Sequence, residues 1–129
     1  MKKMDVTILH INKKNLNNHI YNEDAVKNMI DKINNNTVYG GVGMCNSRNL
    51  DLSKVSHVVT NLRIEGDRMV GTISIRDDKN GQRLKEMMAN TDVVFRVQGE
   101  GCCNNGEISN FKLLSINAID KYEDAFELR

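Results

Sequence analysis

Residues 54–76 constrain the fold more than any other part of the chain, because they carry the pattern of a β-hairpin. Two β-rich stretches, residues 54–64 and 68–76, flank the sequence Glu65-Gly66-Asp67. A Gly-Asp pair at this place favours the positive φ angles of a tight hairpin turn. In the second stretch, apolar residues on one face alternate with polar residues on the other: Met69, Ile73 and Ile75 against Arg68, Thr72, Ser74 and Arg76. This alternation predicts an antiparallel sheet with one face in the core.

Hydrophobic periodicity predicts further strands and two helices around this hairpin. The helices are expected to begin after Asn22 and Asp78, whose side chains can cap a first turn. Further strands are predicted at residues 4–11, 37–44, 92–98 and 107–118, with a loop at 99–106 and a charged tail at 121–129 that is either a short helix or disordered. Because strands outnumber helices and connections are short, we expect an α+β fold, mainly antiparallel, with a partly closed β-barrel and two short helices. The length fits a single domain over residues 1–129.

Composition and charge exclude several classes of protein. The chain has 18 Lys and Arg against 17 Asp and Glu, a formal net charge of +1, so a broad basic surface for nucleic acid is not indicated. No apolar run approaches the roughly 18 residues of a membrane span, and the Lys2-Lys3 start lacks the apolar stretch of a signal peptide. The cysteines Cys45, Cys102 and Cys103 form neither a disulfide framework nor a Cys-x-x-Cys metal motif. We therefore expect a cytoplasmic protein with reduced thiols, no metal and no cofactor.

Five segments of the chain occur in the same order as in one enzyme family. They are Tyr39-Gly40-Gly41-Val42-Gly43, Asp51-Leu52-Ser53-Lys54-Val55-Ser56-His57-Val58-Val59, the hairpin from Leu62 to Gly71, the helix start from Asp77 to Leu84, and Ser109-Asn110-Phe111-Lys112-Leu113-Leu114-Ser115-Ile116. They lie in the stretch from Val38 to Asp120, which resembles the prohead (capsid-maturation) proteases of tailed phages, with Val55-Ser56-His57 as the strongest piece. The resemblance implies the fold of those proteases.

The resemblance also implies where a serine-protease site would lie. In this family a histidine accepts the proton of a serine hydroxyl, and an acidic group orients the histidine. The histidine corresponds to His57, the two serine positions hold Arg96 and Val97, and the acidic position falls near Asn117. No Ser, Thr or Cys occurs between residues 92 and 101, so a shift of register restores no nucleophile. We therefore predict that the chain is a pseudoprotease and not an enzyme, with these positions vestigial.

The segment around these positions is the predicted binding region. The candidate ligand contacts are Arg96, Gln98 and the residues of the glycine-rich loop that follows, namely Gly99, Glu100, Gly101, Cys102 and Cys103. A flexible loop beside an arginine can hold a small anion, so a small nucleotide is one candidate ligand. A minor alternative is a cysteine hydrolase, in which Cys102 or Cys103 replaces the serine and His57 is its base.

Two roles are open for a non-catalytic chain. The first is binding of the protease, the scaffold or the capsid protein in phage head assembly, as an assembly partner or a regulator. The second is viral counter-defence, in which the protein inhibits a host immune protein or sequesters a nucleotide signal. The expected partner in the host cytoplasm is a phage head protein or a host defence protein, with a small nucleotide as a further candidate. The unpaired edges of a β-rich domain also make homo-oligomers an expectation.

Overall fold

The computed structural model describes residues 3–15, 18–43 and 51–121. In these ranges the elements are β1 (Lys3–His10), α1 (Glu23–Asp31), β2 (Thr37–Gly40), β3 (His57–Glu65), β4 (Arg68–Ile75), α2 (Lys79–Asn90), β5 (Val93–Asn104) and β6 (Glu107–Asp120). Short 3-10 turns lie at Asn34–Asn36 and Leu52–Lys54. The predicted α+β class, with two helices and antiparallel strands, is confirmed. The predicted tail after Lys121, together with Cys45, lies outside the described residues.

The predicted hairpin forms the centre of a four-stranded antiparallel sheet. β3 and β4 pair along most of their length, and Gly66 adopts a φ of +64° in the turn between them. β1 pairs with the free edge of β4 and β2 with the free edge of β3, so that the strand order is β1-β4-β3-β2. The sheet contributes fully buried side chains to the core, among them Ile8, Val59, Met69 and Ile73, and these belong to one cluster with Leu84, Phe95 and Ile116.

A second sheet consists of β5 and β6, which form one long hairpin. Their pairing extends to Asn104 and Glu107, with the turn at Asn105 and Gly106, so the loop predicted over residues 99–106 is wrong. The two glycines that suggested a loop lie in strand backbone beneath the ring of Phe111 on β6. A Cβ at Gly99 would lie 2.8 Å from ring carbons of Phe111, and one at Gly101 would lie 3.0 Å away. The glycines therefore make room for an aromatic side chain across the strands.

The expected partly closed barrel is also wrong, because the two sheets do not join into one ladder. They meet where residues 41–43 run beside β6 in a short parallel bridge. Gly43 N donates to Ala118 O at 2.8 Å, and Ala118 N donates to Gly41 O at 2.9 Å. β1, at the opposite edge of the four-stranded sheet, has no strand ladder with β5 in the described residues. A barrel requires continuous pairing around the whole circumference, which this single bridge does not supply.

Both helices begin at the predicted capping residues. The side chain of Asn22 accepts a hydrogen bond from Ala25 N at 2.8 Å, and that of Asp78 accepts one from Gly81 N at 2.9 Å. α1 buries Val26 and Met29 against the core, whereas α2 buries Leu84. Within the described ranges, neither helix is long and apolar enough to cross a membrane.

Candidate functional site

His57 is the first residue of β3 and is completely buried. Its Nε2 atom lies 2.7 Å from the backbone oxygen of Ile116, and its Nδ1 atom lies 2.8 Å from the Oγ atom of Ser56. A carbonyl oxygen can only accept a hydrogen bond, so Nε2 carries the proton and donates it to Ile116. In the neutral ring Nδ1 is then the acceptor, and the hydroxyl of Ser56 donates to it. Both ring nitrogens therefore have partners inside the protein.

The environment of His57 favours the neutral imidazole. Burial lowers its pKa from the ordinary 6.5 to about 4, against the smaller raising effect of the hydrogen bond to Ile116. Removing a charged group from water is unfavourable, and no carboxylate takes part in either ring hydrogen bond to offset that cost. The ring also packs edge-on against Phe95, with the ring centroids 5.2 Å apart. At neutral pH His57 is therefore an uncharged core residue.

Gly40 lies directly opposite His57 in the pairing of β2 with β3. A Cβ atom at this position would lie 1.7 Å from Ile116 O and 2.5 Å from His57 Nε2. Any side chain at residue 40 would therefore displace the hydrogen bond between the histidine and β6. Glycine is needed at position 40 because the backbone of β2 approaches the backbone of β6 too closely for a side chain. The flexibility of a loop does not explain this glycine.

Asn117 is also buried, but it does not orient His57. Its Oδ1 atom accepts a hydrogen bond from Gly41 N at 3.2 Å, and its Nδ2 atom donates to Oε1 of Gln98 at 2.7 Å. Because both nitrogens of His57 are bonded to Ser56 and Ile116, no ring nitrogen is left for Asn117. The side-chain amide of Asn117 instead links β6 to Gly41, which follows β2, and to Gln98 on β5.

The two predicted nucleophile positions lie on opposite faces of β5. Arg96 pairs with Asn117, and Val97 pairs with Ile116. Since side chains alternate along a strand, Val97 shares a face with Phe95, whose ring contacts His57. Arg96 lies on the other face and donates from Nη1 to the backbone oxygen of Phe95 at 3.1 Å. The residue on the histidine side is therefore aliphatic and cannot attack a carbonyl carbon.

The two cysteines of the predicted binding region lie on the outer half of the hairpin. Cys102 pairs with Ser109 and Cys103 with Ile108, and both thiols are exposed. Five residues of extended strand separate Val97 from Cys102, a distance of about 16 Å. Glu100 and Gly101 are exposed on the same part of the strand, which carries them away from His57 as well. This arrangement does not support a cysteine nucleophile with His57 as its base.

Two features of this region were missed at the level of sequence. Ser56 is the hydrogen-bond donor to His57, and the adjacency of the two residues in the chain was the available signal. The other is a cleft lined by Ser56 together with Val42, Lys54, Asn80 and Arg83, which come from three separate segments. Local sequence gives no signal for such a grouping.

In the part of the chain that the structure describes, no group of three or more His, Cys, Asp or Glu side chains could hold a metal ion.

Comparison with solved structures identifies a protein of similar fold. The capsid assembly protease of bacteriophage T4, gp21, matches with a TM-score of 0.71 and 19% sequence identity, and the match covers 91% of this chain and 80% of that chain. No protein-family model matches the sequence, and neither does any curated protein. At this level of identity the match shows the fold alone. The prohead-protease-like fold expected from the sequence is therefore confirmed.

Proposed function

We propose that the protein is a non-catalytic phage protein that acts in head assembly by binding the protease, the scaffold or the capsid protein. The observation that carries this proposal is the state of His57, whose two ring nitrogens are both hydrogen-bonded within the core. A histidine that acts as a general base needs one nitrogen directed at the nucleophile. Here the Nε2 atom of His57 donates to the backbone oxygen of Ile116 on β6. The residue paired with Ile116 on β5 is Val97, which has no hydroxyl.

The bond between Ser56 and His57 is the strongest argument for an enzyme, because it has the geometry of a nucleophile and its base. Two observations count against that reading. Although Ser56 lines the cleft, it is only 1% exposed, so little of it is open to a substrate carbonyl. The pKa of His57 is lowered to about 4 by burial, so the ring is a weak proton acceptor at neutral pH. We therefore assign the pair a structural role.

A fluorophosphonate probe tests this assignment, since it labels serines that are activated as nucleophiles. We expect no labelling of the native protein under conditions that label an active serine protease completely. Labelling that is lost in S56A and in H57Q would show that the pair is catalytic, and the proposal of a non-catalytic protein would be withdrawn.

The role in head assembly is proposed from the fold shared with a capsid assembly protease. A chain that keeps such a fold can keep the surfaces through which an enzyme contacts other head proteins. In the described ranges, three large apolar side chains are exposed, namely Tyr39, Val42 and Leu52, and the last of these is 73% exposed. Val42 and the turn carrying Leu52 border the same cleft. This apolar surface is where we expect a protein partner to bind.

Binding is tested by mixing the purified protein with the protease, the scaffold and the capsid protein of the phage that encodes it. Size-exclusion chromatography with light scattering is expected to show a complex with at least one of the three. L52S is expected to weaken that complex, whereas K112Q, a change at an exposed residue on β6, leaves it intact. A failure to bind any of the three proteins would contradict the proposed role, whatever the result with the fluorophosphonate probe.

A further inference from the structure

A cleft of about 220 Å³ lies between the 3-10 turn at Leu52–Lys54 and the first turns of α2. Five residues line it: Val42, Lys54, Ser56, Asn80 and Arg83. None of them belongs to the binding region predicted on β5. The buried hydroxyl of Ser56 places the cleft next to His57, so its floor is part of the rigid core.

The walls of the cleft are held in place by hydrogen bonds. The side chain of Asp51 accepts from Ser53 N at 2.9 Å and from Ser53 Oγ at 2.7 Å, which fixes the 3-10 turn. Asp78 caps α2 on the other side. Asn80 joins the two walls, since its Nδ2 atom donates to Ser53 O at 2.6 Å. The turn and the start of α2 are therefore held in place before any ligand arrives, which lowers the entropic cost of binding.

The cleft carries positive charge on both walls. Lys54 comes from the 3-10 turn and Arg83 from α2, and among the described residues neither forms an ion pair within 4.0 Å. Two carboxylates lie nearby and remain charged, and their hydrogen bonds direct them to Ser53, Gly81 and Arg76. Hydrogen bonds from Ser53, together with the charge of Lys54, lower the pKa of Asp51. Asp78 accepts from Gly81 N and forms an ion pair with Arg76.

We propose that this cleft binds a phosphate group, held between Lys54 and Arg83. Arginine binds the oxygens of a phosphate in a bidentate manner, while lysine acts as a point charge, so the two residues complement a dianion. The volume fits a phosphate group but lies below the roughly 300 Å³ at which sites for drug-sized ligands begin, so a whole nucleotide is not the expected ligand. The proposal does not depend on the role in head assembly.

The test is a titration of isotopically labelled protein with inorganic phosphate, followed by amide chemical shifts at constant ionic strength and pH 7. We expect saturable shifts for amides next to Ser56, Asn80 and Arg83, with a dissociation constant of about 1 mM. R83Q and K54Q are each expected to weaken binding about tenfold. K112Q removes the same charge from an exposed site on β6 and is expected to leave the affinity unchanged.

Glycerol 3-phosphate and glutamate, titrated in the same way, define the ligand. Tighter binding of glycerol 3-phosphate than of inorganic phosphate would support the proposal and identify an organic phosphomonoester as the source, and the reverse would identify the free ion. Shifts that do not saturate with either phosphate would overturn the proposal. So would equal affinity for glutamate, or binding that survives in both R83Q and K54Q.

Discussion

At the scale of single residues, His57 connects parts of the chain that are far apart in sequence. It starts β3, lies opposite Gly40 on β2, and donates a hydrogen bond to Ile116 on β6. Removal of the imidazole would leave the Ile116 carbonyl and the Ser56 hydroxyl without these partners inside the core. An unsatisfied buried polar group costs about 1–3 kcal/mol, so the histidine contributes to stability whether or not it ever contributed to catalysis.

The buried histidine predicts a pH dependence of stability. The pKa of His57 is about 4 in the folded protein and 6.5 when the ring is exposed on unfolding. Between these values the unfolded chain binds more protons, so the stabilisation is complete above pH 6.5 and is lost as the pH falls towards 4. We expect the free energy of unfolding to fall by about 2 kcal/mol between about pH 7.5 and pH 5 from this residue alone. Urea denaturation at the two pH values measures the change.

Variants of two histidines separate this contribution from other titrating groups. In H57Q the loss of stability between the two pH values is expected to be smaller than in the native protein by about 2 kcal/mol. H10Q, which changes an exposed histidine on β1, is the matched control for the loss of a histidine. If H57Q and the native protein lose the same free energy, the ring is not the buried neutral group described above.

At the scale of elements, the close approach of β2 to β6 depends on the glycine at position 40. In G40A the new Cβ would overlap Ile116 O, whereas in G41A it would lie 3.0 Å from Lys54 O. We expect G40A to lose several kcal/mol, on the order of 3, because the hydrogen bond between His57 and Ile116 must move. G41A is expected to lose clearly less. Urea denaturation of the two variants makes the comparison, and equal losses would contradict a special requirement for glycine at position 40.

The β5–β6 hairpin depends in a similar way on Phe111. Its ring covers Gly99 and Gly101, meets the ring of Tyr21 edge-on at 5.6 Å, and is almost fully buried. F111A is expected to cost about 3 kcal/mol, because it removes a buried aromatic side chain over two residues that have no side chains of their own. K112A, at the adjacent exposed position, is expected to stay within about 0.5 kcal/mol of the native protein. Similar thermal stability for both variants would contradict the proposed role of the ring.

The contrast between the helix starts and this hairpin shows which elements could be predicted from sequence. Asn22 and Asp78 cap helices through bonds that span three residues, so the local pattern contains the whole interaction. Gly99 and Gly101 favour a loop when only their neighbours are considered. In the structure both lie within β5, where a Cβ would meet Phe111 on β6 and, at Gly99, also the backbone oxygen of Lys112. An interaction between separate strands leaves no local pattern, and for that reason the predicted loop was wrong.

At the scale of the whole molecule, the same limit applies to the joining of the sheets and to the candidate site. The antiparallel class followed from strand patterns, but barrel closure depends on whether distant edges pair. In the described residues the edge of the four-stranded sheet meets β6 through a short bridge between Val42 and Ala118. The position of His57 followed from the resemblance to prohead proteases. Its bond to Ile116 and the cleft between Lys54 and Arg83 depend on contacts between segments far apart in the chain. Sequence could therefore name candidate residues but not the groups that contact them.

The non-catalytic assignment of the whole molecule leads to a prediction about restoring the nucleophile. V97S would place a hydroxyl on the face of β5 that contacts His57, and R96S would place one on the opposite face. We expect that a fluorophosphonate probe labels neither variant. The Nε2 atom of His57 already donates to Ile116, and a ring with a pKa of about 4 is a weak base at neutral pH.

The comparison of V97S with the double variant V97S/H57Q makes this prediction decisive. If V97S is labelled and the double variant is not, His57 can still act as a base, and a single substitution separates the chain from an active serine hydrolase. In that case the hydrogen bond to Ile116 must be weak enough to break when a hydroxyl is offered. If neither is labelled, a hydroxyl at position 97 does not by itself make His57 a general base, as expected from the hydrogen bond between its Nε2 atom and Ile116.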